Sequence, residues 1–160
     1  MKSLIELERF KVKVSSVLNR SAEFAGLNMF DRREETCWNS EGQGHDIPQS
    51  IFIDFGRNVE VQRLLMTFQG GFVGQDAIVA VGASPSALVT VCVLGDIQDS
   101  NDQQAFDIQL VPVIGESEIE NGSSSANKGR YLKITFHSST DFYGRVTIYD
   151  LDVLGEELEW

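Results

Sequence analysis

Ile51-Phe52-Ile53-Asp54-Phe55-Gly56 sets Ile51, Ile53 and Phe55 on one parity and Phe52 and Asp54 on the other, then stops on glycine. A two-residue period puts the first set on one face of an extended chain, so the stretch reads as a strand with that face in a core. The period recurs outward from it in both directions. Phe10, Val12 and Val14 alternate with Lys11 and Lys13, and Leu64, Met66 and Phe68 form a further set. Residues 77–81 and 88–94 are apolar runs, Phe106, Ile108 and Leu110 alternate with Asp107 and Gln109, and Leu132, Ile134 and Phe136 alternate with Lys133 and Thr135. Over residues 145–154, Val146 and Ile148 share one parity while Tyr149, Leu151 and Val153 share the other. A parity change inside a strand predicts a bulge near Tyr149 and Asp150.

Turn chemistry separates these runs: Gly70-Gly71, Ser84-Pro85-Ser86, and an Asp- and Asn-bearing stretch over residues 95–104. Residues 116–129, with Asn121-Gly122-Ser123-Ser124-Ser125, read as a mobile loop. No segment carries a long apolar stripe at helical spacing. About eight short strands joined by polar loops imply an all-β fold, an antiparallel β-sandwich or jelly roll. A chain of 160 residues is the length of one domain, with its core expected over residues 12–155.

The formal net charge of -11 sets the chain against nucleic acid and against an anionic membrane surface, since both require a basic face. Charged residues interrupt the first fourteen positions, which excludes a signal peptide reading, and no apolar run is long enough to span a bilayer. Cys37 and Cys92 are then expected as reduced, buried thiols of an intracellular protein. Two cysteines and two histidines without close spacing do not make a zinc site. Neither a nucleophile elbow nor a metalloprotease helix is present, so a catalytic site has no support. A near match to Leu-x-x-Leu-Leu, Val61-Gln62-Arg63-Leu64-Leu65, falls in an expected strand with Leu64 inward and reads as core.

Four segments in order resemble the discoidin, or coagulation-factor type C, domain. They are Val14-Ser15-Ser16-Val17-Leu18-Asn19; Leu27-Asn28-Met29-Phe30-Asp31 followed by Glu35-Thr36-Cys37-Trp38-Asn39-Ser40; the opening Ile51-to-Gly56 stretch; and Arg130-Tyr131-Leu132-Lys133-Ile134 with a last strand closing on Leu154-Gly155. The resemblance implies a galactose-binding-like sandwich. A closer similarity, carried by Ser15-Ser16-Val17-Leu18-Asn19-Arg20, Phe68-Gln69-Gly70-Gly71-Phe72 and Asp141-Phe142-Tyr143-Gly144-Arg145-Val146, is to a small intracellular family associated with a testicular orphan nuclear receptor. It implies a non-catalytic protein-interaction module, a monomer of the cytoplasm or nucleus with a possible role in nuclear-receptor-dependent transcription. The alternative is a carbohydrate-binding module that takes a glycan on loop aromatics.

The resemblance also implies a metal site, and composition marks a second one. A loop with the spacing of Asp31 and Thr36 often wraps a structural calcium ion, with Phe30 and Glu34 offering carbonyls and Glu156 a distant carboxylate. Arg32 and Arg33 follow Asp31 where the resembled pattern often has glycine, and the alternative is a metal-free turn held by Asp31 and Thr36 hydrogen bonds. Phe142, Tyr143 and Arg145, with Gln69 and Phe72, have the aromatic-plus-arginine composition of a ligand- or partner-binding surface. Their alternatives are core closure by Phe142, an ion pair of Arg145 with Asp141 or a nearby carboxylate, and a plain hairpin turn after Gln69. Trp38 reads as core, with its indole N–H needing one partner.

Overall fold

A computed structural model describes residues 1–108 and 126–159. The strands in chain order are β1 (Lys2–Ser3), β2 (Lys11–Val14), β3 (Trp38–Asn39), β4 (Gln49–Phe68), β5 (Gly74–Gly82), β6 (Val89–Leu94), β7 (Gln103–Asp107), β8 (Lys128–Ser139) and β9 (Thr147–Glu157). Three short 3-10 turns, Leu18–Arg20, Ala22–Phe24 and Gly26–Phe30, lie between β2 and β3.

The decisive element is β4. The runs at 51–55 and 64–68, which read as separate strands, belong to this one strand with a bend in it. Gly56 makes the bend: its φ is +73°, and its N–H donates to the Asp54 carboxylate at 2.8 Å. A side chain there would also strike the Arg9 carbonyl, so only glycine fits. Pairing with β8 slips register between Asp54 and Val59. Before the bend β4 pairs with β2 and β8; after it, β4 keeps β8 only at Val59 and Glu60 and otherwise pairs with β9 and β7. One layer is therefore β2-β4-β8-β5-β6, and the other carries β7, β4 and β9 with β1 and β3 along β9. All pairs are antiparallel, and the chain is a β-sandwich whose two layers share β4.

The inner faces are the ones the two-residue period selects. Ile51, Ile53, Phe55, Leu64, Met66, Phe68, Val79, Leu132, Ile134 and Phe136 are all buried. The parity change in β9 is a bulge at Tyr149: Thr67 faces Asp150 while Phe68 faces Ile148. Leu64 of the Leu-x-x-Leu-Leu near-match is fully buried in β4. Trp38 is fully buried, and its Nε1–H donates to the Ser16 carbonyl at 2.9 Å. Cys37 and Cys92 are buried free thiols. Burial, helped by the negative charge of Glu23, raises the Cys37 pKa.

Two boundaries move. The core begins before residue 12, because β1 pairs with β9 and Leu4 is fully buried behind it. Phe10 and Phe30 add an edge-to-face ring pair at 4.9 Å. The loop expected at residues 116–129 lies outside the described residues as far as 125. Lys128 and Gly129 at its end already belong to β8, where Gly129 packs backbone to backbone against Gly82.

Candidate functional site

One end of the sandwich gathers the loop before β9, the turn after β4 and the chain after β3. The loop before β9 is built by its own hydrogen bonds. The Ser139 hydroxyl donates to the Arg145 carbonyl at 2.6 Å and accepts from the Asp141 N–H at 3.0 Å. The Asp141 carboxylate accepts from the Arg145 N–H at 3.0 Å, and the Gly144 N–H donates to the Asp141 carbonyl. Gly144 takes φ +83°, and a side chain there would meet the Gly44 carbonyl at 2.8 Å. The Gly44 N–H donates to the Tyr143 carbonyl at 2.8 Å, so the segment after β3 is the floor of this loop.

That framework leaves the two central side chains outside. Phe142 is 84% exposed and Tyr143 is 64% exposed, with ring centroids 5.1 Å apart, edge to face. Core closure by Phe142 is thereby corrected: the turn needs only its backbone. The Arg145–Asp141 ion pair is corrected too, because Asp141 takes the backbone N–H of Arg145 instead of its guanidinium. The Arg145 guanidinium lies over the Phe72 ring, 5.7 Å from its centroid, and its buried Nε has no hydrogen-bond partner among the described residues.

Phe72 is half-buried in a tight turn fixed on three sides. The Gln69 N–H donates to the Thr147 carbonyl, and the Thr147 N–H donates to the Phe72 carbonyl. The Gly70 and Gly71 N–H groups donate to Asn101 and Asp99 side chains at 2.7 and 2.8 Å. Val73 exchanges bonds with Thr140. The structure thus brings Gln69, Phe72, Phe142, Tyr143 and Arg145 to one end. Sequence reasoning missed the supporting Asp99 and Asn101, and nothing local in their polar stretch marked them. Among the described residues no hydrogen bond joins either histidine to this site.

Of the residues proposed for calcium, Asp31 and Thr36 meet, while Glu156 is engaged elsewhere. Both Asp31 carboxylate oxygens take the Thr36 hydroxyl, at 2.7 and 2.6 Å, and Oδ1 also accepts the Arg33 N–H at 2.9 Å. Glu156 is held by the N-terminal amine at 2.7 Å, which keeps its pKa below the usual range. It lies four positions along β9 from Asp152, roughly 13 Å at strand spacing. The Arg32 guanidinium instead bridges Asp150 at 2.8 Å and Asp152 at 3.0 Å. Burial opposes its charge, but Asp152 and Asp150 outweigh that and raise its pKa. Among the described residues no group of three or more His, Cys, Asp or Glu side chains forms a metal centre. As arranged, the Asp31 carboxylate is taken up by a hydrogen-bonded turn beside a protein cation, where a calcium ion would call on six to eight oxygens.

Arg32 holds φ +60°, the left-handed region that glycine enters freely. Arg32→Ala is expected to lose both ion pairs, keep the backbone strain and cost about 1 kcal/mol. Arg32→Gly loses the pairs but relieves the strain and is expected to cost less. Thermal unfolding of the three proteins checks this order.

Solved structures of this architecture place the chain in a class. A family 32 carbohydrate-binding module of Clostridium perfringens, in complex with GalNAc-beta-1,3-galactose, superposes with a TM-score of 0.69 at 15% identity over 92% of this chain and 96% of that one. The module of the same family from C. perfringens NanJ, in complex with galactose, gives 0.68 at 16% identity over 96% and 98%. The fold is thus the galactose-binding-like β-sandwich. No established family profile matches the chain. It is 37% identical over 146 residues, 91% of its length, to Nuclear receptor 2C2-associated protein of Danio rerio, covering 90% of that protein. It is 36% identical over 147 residues to the Homo sapiens protein of the same name, covering 91% of each. The chain belongs to the Nuclear receptor 2C2-associated protein family.

Proposed function

We propose that the chain is a non-catalytic protein-interaction module and that the loop end carrying Phe142 and Tyr143 is its docking surface. The observation that carries this is the exposure of two adjacent rings on a turn braced by hydrogen bonds at Asp141, Tyr143, Gly144 and Arg145. Large exposed aromatics on a preformed frame bury much area at little cost in ordering, which is the make-up of interface hot spots. The Arg145 guanidinium above Phe72 adds a cation without an ion pair among the described residues. The relatives' name supports a nuclear receptor as the partner class, and we read the role as one in receptor-dependent transcription, in cytoplasm or nucleus. Among the described residues no helix is long and apolar enough to cross a membrane. At the 31–36 loop we propose the metal-free turn, with Arg32 as the local cation.

A second reading, glycan binding at the same end, is favoured by the open rings beside an arginine whose buried Nε lacks a partner. The test is titration calorimetry of the purified chain against purified nuclear receptor 2C2, repeated with Phe142→Ser/Tyr143→Ser and with galactose as competitor. The double variant is expected to bind about 100-fold more weakly with unchanged thermal stability, and galactose is expected to have no effect. Equal binding by the variant would remove the loop from the interface. Direct galactose binding, lost in the same variant, would favour the glycan reading.

A further inference from the structure

The outer face of the β2-β4-β8 sheet runs against the charge of the molecule. The register places Lys13 opposite Phe52 and Phe52 opposite Lys133. In the neighbouring row it places Lys11 opposite Asp54 and Asp54 opposite Tyr131. These side chains point away from the core, since Ile51, Ile53, Leu132 and Ile134 of opposite parity are buried. Phe52 and Tyr131 stack across the strands with centroids 5.7 Å apart and planes 25° apart. Arg130 joins them, its guanidinium 5.4 Å from the Tyr131 ring and hydrogen-bonded to both oxygens of Asp54 at 2.8 and 3.1 Å.

Lys11, Lys13, Lys133 and Arg130 therefore surround an aromatic pair, with Asp54 the carboxylate among them. Asp54 is committed: the Arg130 hydrogen bonds lower its pKa against the opposing effect of burial, with help from the Gly56 N–H and Lys11. None of the three lysines makes an ion pair among the described residues. Asp76, on the same sheet, bonds the Ser138 hydroxyl five positions along β8 from Lys133, roughly 16 Å away at strand spacing. In a chain of net charge -11, this face carries a local excess of three positive charges around apolar rings.

We propose that this face is a docking surface for an extended acidic polypeptide segment. Lys13 and Lys133 stand two strands apart, about 10 Å at strand spacing. In an extended chain, side chains four positions apart share a face at about 13 Å, within the reach of two long lysine side chains, and an apolar side chain midway between two such carboxylates, on the same face, covers Phe52 and Tyr131. The complementary charge sets specificity and approach, and the rings supply the buried area. The surface differs from the Phe142 and Tyr143 end, and the inference does not depend on that one.

The probe is a fluorescein-labelled peptide of three Glu-Ser-Phe-Ser repeats, which puts Glu and Phe on one face of an extended chain, followed by polarization at low and physiological salt. Its Gln-Ser-Phe-Ser counterpart tests charge. Lys13→Glu/Lys133→Glu is expected to weaken binding at least about 30-fold and Phe52→Ser about tenfold. Lys2→Glu/Lys128→Glu, which changes the total charge equally, is expected to leave it unchanged, as is Phe142→Ser/Tyr143→Ser. Circular dichroism confirms that each variant is folded, and Lys13→Gln/Lys133→Gln repeats the test with a milder change. No binding, an equal loss in the Lys2/Lys128 control, equal binding of the Gln peptide, or preferential capture of duplex DNA or phosphatidylserine vesicles by this face would each overturn the proposal.

Discussion

Trp38→Ala is expected to cost about 3–5 kcal/mol of stability, the range for removing a fully buried large aromatic. Trp38 is on β3 opposite Ile148, with none of its surface exposed. Its Nε1–H is the tie to the Ser16 carbonyl, which alanine would leave without that donor. The damage spreads along the polar seam that Trp38 adjoins. The Ser16 hydroxyl accepts the Glu41 N–H and donates to Gln49 Oε1, and the Ser40 hydroxyl accepts the Val146 N–H. This seam carries the chain from β3 to Gly44, the floor under Tyr143. Trp38→Ala should therefore also loosen the aromatic loop, whereas Trp38→Phe, which keeps most of the packing, should cost less. At about 2–4 °C per kcal/mol for a chain of this size, the alanine variant should unfold roughly 6–20 °C below the parent in a thermal scan. A fall of under about 2 °C would contradict the core role of the ring.

Gly155→Val is expected to cost at least about 3 kcal/mol, at the upper end for overpacking. A Cβ at Gly155 would stand 1.9 Å from the Glu60 carbonyl oxygen and 3.0 Å from Leu4 Cδ1. The first obstacle is backbone, so no side-chain rotation relieves it. Gly155 lies between Val61 of β4 and Lys2 of β1, beside the slip in the β4–β9 register that follows Val61. The valine variant must part β9 from β4 or release the N-terminal strand. Gly95→Ala is the control: nothing lies within 4 Å of the added atom, and a change within about 0.5 kcal/mol is expected. Chemical denaturation of the three proteins checks both expectations.

The alternation in the sequence determined which residues face inward and that the fold is an antiparallel β-sandwich. A two-residue period forces side chains to alternate, and burial then selects one parity. The β9 bulge was legible for the same reason, as a break in that parity at Tyr149. The Asp31–Thr36 hydrogen bond was legible too, because it is local. What the period does not carry is direction between strands. That β4 is one bent strand shared by both layers depends on Gly56 meeting Arg9 across the fold. That Arg32 reaches Asp150 and Asp152, and Glu156 the N-terminal amine, depends on partners more than a hundred residues away.

The candidate surfaces divide along the same line. The composition of the 141–145 loop marked it, but only the folded loop, by directing its hydrogen bonds inward, left Phe142 and Tyr143 exposed. The basic aromatic face was invisible to a reading of charge along the chain, because Lys13, Phe52, Tyr131 and Lys133 are neighbours only across strands. Sequence determines the period of each strand by itself. The tertiary structure decides register, since backbone hydrogen bonds between strands align residues with no regard to their distance in the chain.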